Sequence, residues 1–259
     1  MYWIDDRKEE KALLLCGFGT GDAEEMERTY GRLLEEARKE NPAMAVRLAL
    51  TSAKVIERLF LKNGLRLPDV RSALEEIAAG GAGEVRILPV QVVGGREYEK
   101  LKELADQYSS RMKIRLDSPL LGGPKIGRVA EILVKEAAPL EEEAVVYIGH
   151  GTHGRDPAGP AAYRKLEEMI RSMGNDNIFI GDLQTGSKPL RKALSAGAFR
   201  RIRLCSLMLV SGHHWSVDVV GEQEDSWKST LIKEGYIIDC IGNGLLERKE
   251  IRDLVLDTV

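Results

Sequence analysis

The 259-residue chain is short of the residues that usually advertise chemistry. It has three cysteines and four histidines, and aromatic residues make up only 5%. Cys16, Cys205 and Cys240 are far apart, odd in number and form no Cys-x-x-Cys. That argues against a disulfide framework and a thiolate zinc site, and it fits a reducing cytoplasm. Cys16 and Cys205 lie in apolar runs and read as small buried hydrophobes. There is no basic excess either: 38 basic residues face 41 acidic ones, for a net charge of −3. A nucleic-acid or anionic-membrane partner is therefore not expected. Long apolar runs are missing too. The longest resemble strands, such as 144–148, whereas a membrane span needs about 20 apolar residues. The first residues are charged and carry no apolar segment, so no secretory signal is expected.

What the chain does contain is a globular mixture, 43% apolar and 31% charged, enough for a sizeable core. Apolar strand-like runs alternate with helical patterns along its whole length. Strands are expected at 12–16, 43–50, 85–93, 113–116, 144–148, 178–180, 202–210 and 237–241. One helix is expected to open at Asp22 with Glu25 as a capping box and to place Met26, Tyr30, Leu33, Leu34 and Ala37 on one face. Others follow near 53–61, 69–79, 98–108, from 126, 161–173, near 190, 226–234 and 249–256. In 221–228, Asp225 or Ser226 reads as a helix cap with Trp227 packing inward, and Glu141, Glu142 and Glu143 read as a solvated loop. This alternation predicts βαβ units and parallel sheets, with ligands at the carboxyl ends of the strands. The Gly/Pro-rich stretch 117–124 is the best linker. It divides the chain into an N-terminal α/β lobe, 1–121, and a C-terminal α/β lobe, 122–259, with the last helix able to pack back on the first.

The two halves echo each other. Leu14 to Thr20 overlays Val146 to Thr152, each a strand leading into Gly-x-Gly-Thr, and Ile87 to Glu97 overlays Leu204 to His214. The expected fold class is therefore α/β with two similar lobes, each a parallel sheet flanked by helices, around an interlobe cleft.

All four histidines fall in two strand-end loops, His150 and His153 in one, His213 and His214 in the other. Core histidines would scatter along the elements, and imidazole is the commonest ligand of mid-to-late first-row metals. Glu97 follows Gly94-Gly95 and overlays His214. Taken alone it reads as a first-turn helix residue. Combined with His150 and His214 it completes a three-ligand site with open positions. Gly17-Phe18-Gly19-Thr20-Gly21 misses the Gly-x-Gly-x-x-Gly spacing of a dinucleotide loop.

Leu-Cys-Gly-Phe-Gly-Thr, Gly94 to Lys100, Gly149-His150-Gly151-Thr152, and Met208 to His214 followed by Glu224-Asp225-Ser226-Trp227-Lys228 occur in this order. Together they resemble the anaerobic-type, CbiK-like cobalt chelatases of cobalamin biosynthesis. The resemblance implies two α/β lobes around a tetrapyrrole cleft and insertion of Co(II) into sirohydrochlorin with release of two protons. It implies no cofactor beyond the substrate metal. It carries the family's metal ligands onto His150, His214 and Glu97, the residues also expected to act in catalysis. The chain departs from the family's pattern at Gln91, where many members have histidine, at Gln184, where they have glutamate, and at Gly212-His213-His214, where Gly-Asp-His is usual. Arg96, Arg155 and Lys188 are candidate donors to substrate carboxylates. The expected partners are a tetrapyrrole and a divalent metal, and a homo-oligomer is expected from base rates alone. Rival readings are a chelatase for iron, nickel or another macrocycle, a metal-dependent hydrolase, and a noncatalytic metal or tetrapyrrole carrier.

Overall fold

A computed structural model describes residues 3, 10–152 and 156–257. Two compact units are present. Among the described residues one runs to Leu120 and includes residues 255–257, and the other is Leu121–Leu254. No helix among the described residues is long and apolar enough to cross a membrane.

The first unit comprises β1 (Lys11–Gly17), α1 (Ala23–Met26) continuing through a π-helical turn (Glu27–Gly31) into α2 (Arg32–Glu40), β2 (Ala45–Leu50), α3 (Ala53–Asn63), α4 (Val70–Ala79), β3 (Glu84–Val90), α5 (Arg96–Tyr108) and β4 (Lys113–Leu116). Its four strands are parallel in the order β2-β1-β3-β4. Ala12 to Gly17 of β1 is buried throughout, the pattern of a parallel strand covered on both faces. On one face Ala12, Leu14 and Cys16 pack with Ala73, Leu74 and Ile77 of α4 and with Leu101 and Ala105 of α5. Each fully buried Leu or Ile contributes about 2 kcal/mol. Asp22 caps α1 through Glu25 N at 2.8 Å. The Glu25 carboxylate instead accepts from Thr20 Oγ1, so only half of the expected capping box forms. The expected face of Met26, Tyr30, Leu33, Leu34 and Ala37 is buried in full.

The second unit comprises α6 (Lys125–Ala137), β5 (Glu143–Gly149), α7 (Ala158–Ser172), β6 (Ile178–Asp182), α8 (Lys188–Ala196), β7 (Arg201–Ser206), a π-helical turn (Trp215–Val219), α9 (Trp227–Lys233), β8 (Ile237–Ile241), a 3-10 turn (Leu245–Glu247) and α10 (Lys249–Leu256) up to Leu254. Its strands are also parallel, in the order β6-β5-β7-β8. Ala144, Val146 and Ile148 pack with Ile202, Leu204, Phe179, Leu190, Trp215 and Trp227. Ser226 caps α9 and Trp227 is buried, as the sequence predicts.

The second sheet order repeats the first with every strand shifted by four, and the repeat extends to side chains. Tyr30 Oη accepts from Gly19 N at 3.2 Å, and Tyr163 Oη accepts from Gly151 N at 3.2 Å. Each tyrosine ring also rests on the glycine that ends its strand. A Cβ at Gly17 would lie 2.6 Å from Tyr30, and one at Gly149 would lie 2.3 Å from Tyr163. The two Gly-x-Gly motifs are one device used twice.

Two expectations need correction. The third and seventh strands stop at Val90 and Ser206 rather than at 93 and 210: Val90 pairs with Gly17, the last residue of β1, and Cys205 pairs with Ile241, the last residue of β8. The residues after Ser206 are bound differently, Leu245 N and Leu246 N donating to the carbonyls of Met208 and Leu209. Glu143 is no solvated loop residue. It opens β5, is 2% exposed, and pairs with Arg203 Nη2 while Arg203 Nε donates to it at 3.1 Å. An acidic run in sequence conceals such a role, since the cation comes from a strand 60 residues away. Removing one partner of a buried pair strands the other. We therefore expect Glu143→Ala to lower the unfolding free energy by about 3 kcal/mol, measured by urea denaturation.

Candidate metal centre

The ends of β5, β6 and β7 set the positions of the histidines. His150 follows β5 between Gly149 and Gly151, and the Tyr163 hydroxyl holds both glycines from below. Gly151 has φ +77°, a left-handed conformation that costs other residues about 1–2 kcal/mol. His214 precedes the π-helical turn Trp215–Val219, an element the sequence reading does not contain. Trp215 and Val219 are buried in the core of the unit, which leaves His214 on the outer side.

The two imidazoles meet edge to face, with centroids 4.8 Å apart and planes at 76°. His213 lies beside His214, 6.0 Å away. His150 Nδ1 lies 3.4 Å from the Gly151 carbonyl, and His214 Nδ1 lies 2.7 Å from Asp218 Oδ2. Both Nδ1 atoms thus face acceptors. A neutral imidazole that donates through Nδ1 presents a bare Nε2 to a metal.

Asp182, not singled out in the sequence, joins this layer. It ends β6 opposite Gly149 in the parallel register and is 8% exposed. Its Oδ1 accepts from Gln184 N at 2.7 Å and lies against Gly151, whose Cβ, if present, would be 2.3 Å away. Gln184 Nε2 in turn donates to the His150 carbonyl at 3.3 Å. The missed signal was positional: Asp182 ends a strand adjacent to the one that carries His150.

Glu97 sits in the first unit, in the opening turn of α5, and its carboxylate takes Lys100 Nζ at 3.0 Å. Arg96 begins the same helix and Lys188 begins α8. Gln91 follows β3, with its side-chain oxygen buried and without a hydrogen-bond partner. His153 and Arg155 lie outside the described residues. Within either unit, no three His, Cys, Asp or Glu side chains among the described residues form a ready ligand set. The structure brings together His150 and His214.

Burial raises the Tyr30 phenol to about 12, the bond from Gly19 opposing the shift, and pushes Tyr163 higher still. Both tyrosines stay protonated at neutral pH and serve as props rather than bases.

The family model described as cobalt chelatase (CbiK) matches residues 11–259. The sirohydrochlorin cobaltochelatase CbiKC of Nitratidesulfovibrio vulgaris is 28% identical over 259 residues, covering 96% of this chain and 89% of that protein. The sirohydrochlorin cobaltochelatase of Salmonella typhimurium is 27% identical over 248 residues, covering 94% of this chain and 92% of its own. Among solved structures, the sirohydrochlorin chelatase SirB from Bacillus subtilis subspecies spizizenii in complex with cobalt superposes with a TM-score of 0.62 at 13% identity, covering 95% of this chain and 92% of that one. That likeness is one of fold.

Two glycines separate the effect of backbone strain from that of the Asp182 contact. Gly174 has φ +82° and open space around it, whereas Gly151 has φ +77° and Asp182 within clash distance. We expect Gly174→Ala to lower stability by about 1 kcal/mol and Gly151→Ala to lower it by clearly more, measured by thermal unfolding. Equal losses would mean that Asp182 gives way freely.

Proposed function

The chain belongs to the cobalt chelatase family CbiK, and from this premise we infer that it inserts Co(II) into sirohydrochlorin, releasing two protons, in cobalamin biosynthesis. The observation that carries the site assignment is the edge-to-face pair His150 and His214 at the strand ends of the second unit.

Two imidazoles suit Co(II), a borderline cation with high affinity for nitrogen donors. A sparse protein ligand set leaves positions for the pyrrole nitrogens, so the metal can be handed over rather than retained. The macrocycle must also lose two N–H protons. An imidazole released as the metal passes to the macrocycle regains a free nitrogen lone pair and can accept one of these protons. The third ligand in this reading is a carboxylate. Glu97 holds that place from the sequence. Asp182 is a second candidate, favoured by its register position opposite Gly149 and its contact with Gly151. Arg96 and Lys188 are proposed donors to the substrate's carboxylates. A cytoplasmic location agrees with three free thiols, which a reducing compartment preserves. The homo-oligomer expected from base rates remains part of the reading, to be read from light scattering.

The test is anaerobic incubation with sirohydrochlorin and Co(II), followed by the visible spectrum against a control without enzyme. We expect multiple turnovers, with His150→Ala and His214→Ala each lowering kcat/KM by about 100-fold or more. Parent-like rates in both variants would overturn the assignment. A single stoichiometric uptake would identify a carrier. Glu97→Gln and Asp182→Asn identify the carboxylate by which of them loses rate, and parallel assays with Fe(II) and Ni(II) define metal preference.

A further inference from the structure

We propose that Asp218 is a positioning residue of this site: its carboxylate holds His214 in the tautomer whose Nε2 is free to take the divalent metal. The identity of the metal rests on the chelatase reading above, while the hydrogen bond does not.

The 2.7 Å separation of His214 Nδ1 and Asp218 Oδ2 is that of a charge-assisted hydrogen bond. An ionised carboxylate can only accept, so Nδ1 carries the proton and a neutral ring must leave Nε2 bare. The spacing is dictated by the backbone. His214, just before the π-helical turn, and Asp218, within it, are four residues apart, which places them on one side of it. Trp215 and Val219, the next residue after each, are buried and fix the neighbouring side. The Trp215 indole lies on the bare Cα of Gly242, where a Cβ would be 2.4 Å from Nε1. Trp215 N and Ser216 N both donate to the Gly212 carbonyl, and Ser216 Oγ donates to that of His213. The orientation of His214 is therefore set from two sides, by a buried anchor and by a carboxylate.

The exposure of the pair indicates what it is for. The side chains of His214 and Asp218 are 54% and 47% exposed, and ion pairs in such positions add little to folding. A carboxylate behind a metal-binding imidazole, in contrast, fixes its tautomer and raises its strength as a ligand, and its loss typically weakens metal binding 10–100-fold. Behind His150 Nδ1 the Gly151 carbonyl lies at 3.4 Å, a longer contact than that of His214 with Asp218.

Two measurements on the full-length protein decide the matter. In the first, the metal-free protein labelled with 15N-histidine is examined by NMR at pH 8, with the His214 signals assigned from His214→Gln. The parent should carry its proton on Nδ1 with Nε2 bare, and Asp218→Asn should give a mixture of tautomers. In the second, Co(II) alone is titrated and followed by its d–d absorption. Asp218→Asn should raise Kd about 10-fold or more while leaving the thermal midpoint unchanged. A parent His214 protonated on Nε2, or an Asp218→Asn protein that binds Co(II) as tightly as the parent, would overturn the proposal. Failure of the chelatase reading looks different. A parent that binds Co(II) through an Asp218-dependent His214 yet leaves sirohydrochlorin metal-free would refute that reading and leave this one standing.

Discussion

The contact between a tyrosine and a bare strand end is the constraint on which the candidate site depends. Tyr163 occupies the space a Cβ would need at Gly149, and its hydroxyl takes the amide of Gly151. The chain can turn there only because both residues are glycines, and His150, held between them, has its place fixed by steric exclusion. The first unit builds the same turn from Gly17, Gly19 and Tyr30. The occupants differ. Phe18, 54% exposed, stands where the second unit has His150, and Leu50 pairs with Gly17 where Asp182 pairs with Gly149. One scaffold occurs twice, and only the second copy carries a histidine at its centre.

Much of this organisation was legible in the sequence, because parallel strands buried on both faces read as unbroken apolar runs. Leu13 to Cys16 and Val145 to Ile148 are such runs, and the Gly-x-Gly-Thr after each marked the repeat. The clustering of histidines after two strands marks the two loops that carry His150 and His214. Illegible features had distant causes. Where β3 and β7 end follows the ends of β1 and β8, so local apolar character overran both. The burial of Glu143 depends on Arg203, and its two acidic neighbours gave the opposite impression. Asp182 becomes a site residue through strand order, since β6 lies beside β5, and order across a sheet is not written in a local window. The π-helical turn at Trp215 was hidden because five residues carry too little periodicity to mark a helix.

Electrostatics divides the labour among the polar groups near the strand ends. The phenols of Tyr30 and Tyr163 are kept protonated by burial, and as neutral props they bind backbone amides without competing for a cation. Asp182 and Asp218 are tied to a backbone amide and to an imidazole respectively, so each organises a neighbouring residue of the site. The two imidazoles offer nitrogen toward a ligand. That composition favours a mid-to-late transition ion over magnesium or calcium, which prefer oxygen. It is also the composition from which a metal can pass to another nitrogen donor.

The central claim is that His150 and His214 share one cobalt ion, and X-ray absorption of the protein loaded with one equivalent of Co(II) tests it most directly. The account predicts outer-shell scattering from two imidazoles in the parent, falling to one in either His150→Ala or His214→Ala. A first shell of oxygen with no imidazole signature, or a parent spectrum unchanged by both substitutions, would contradict it.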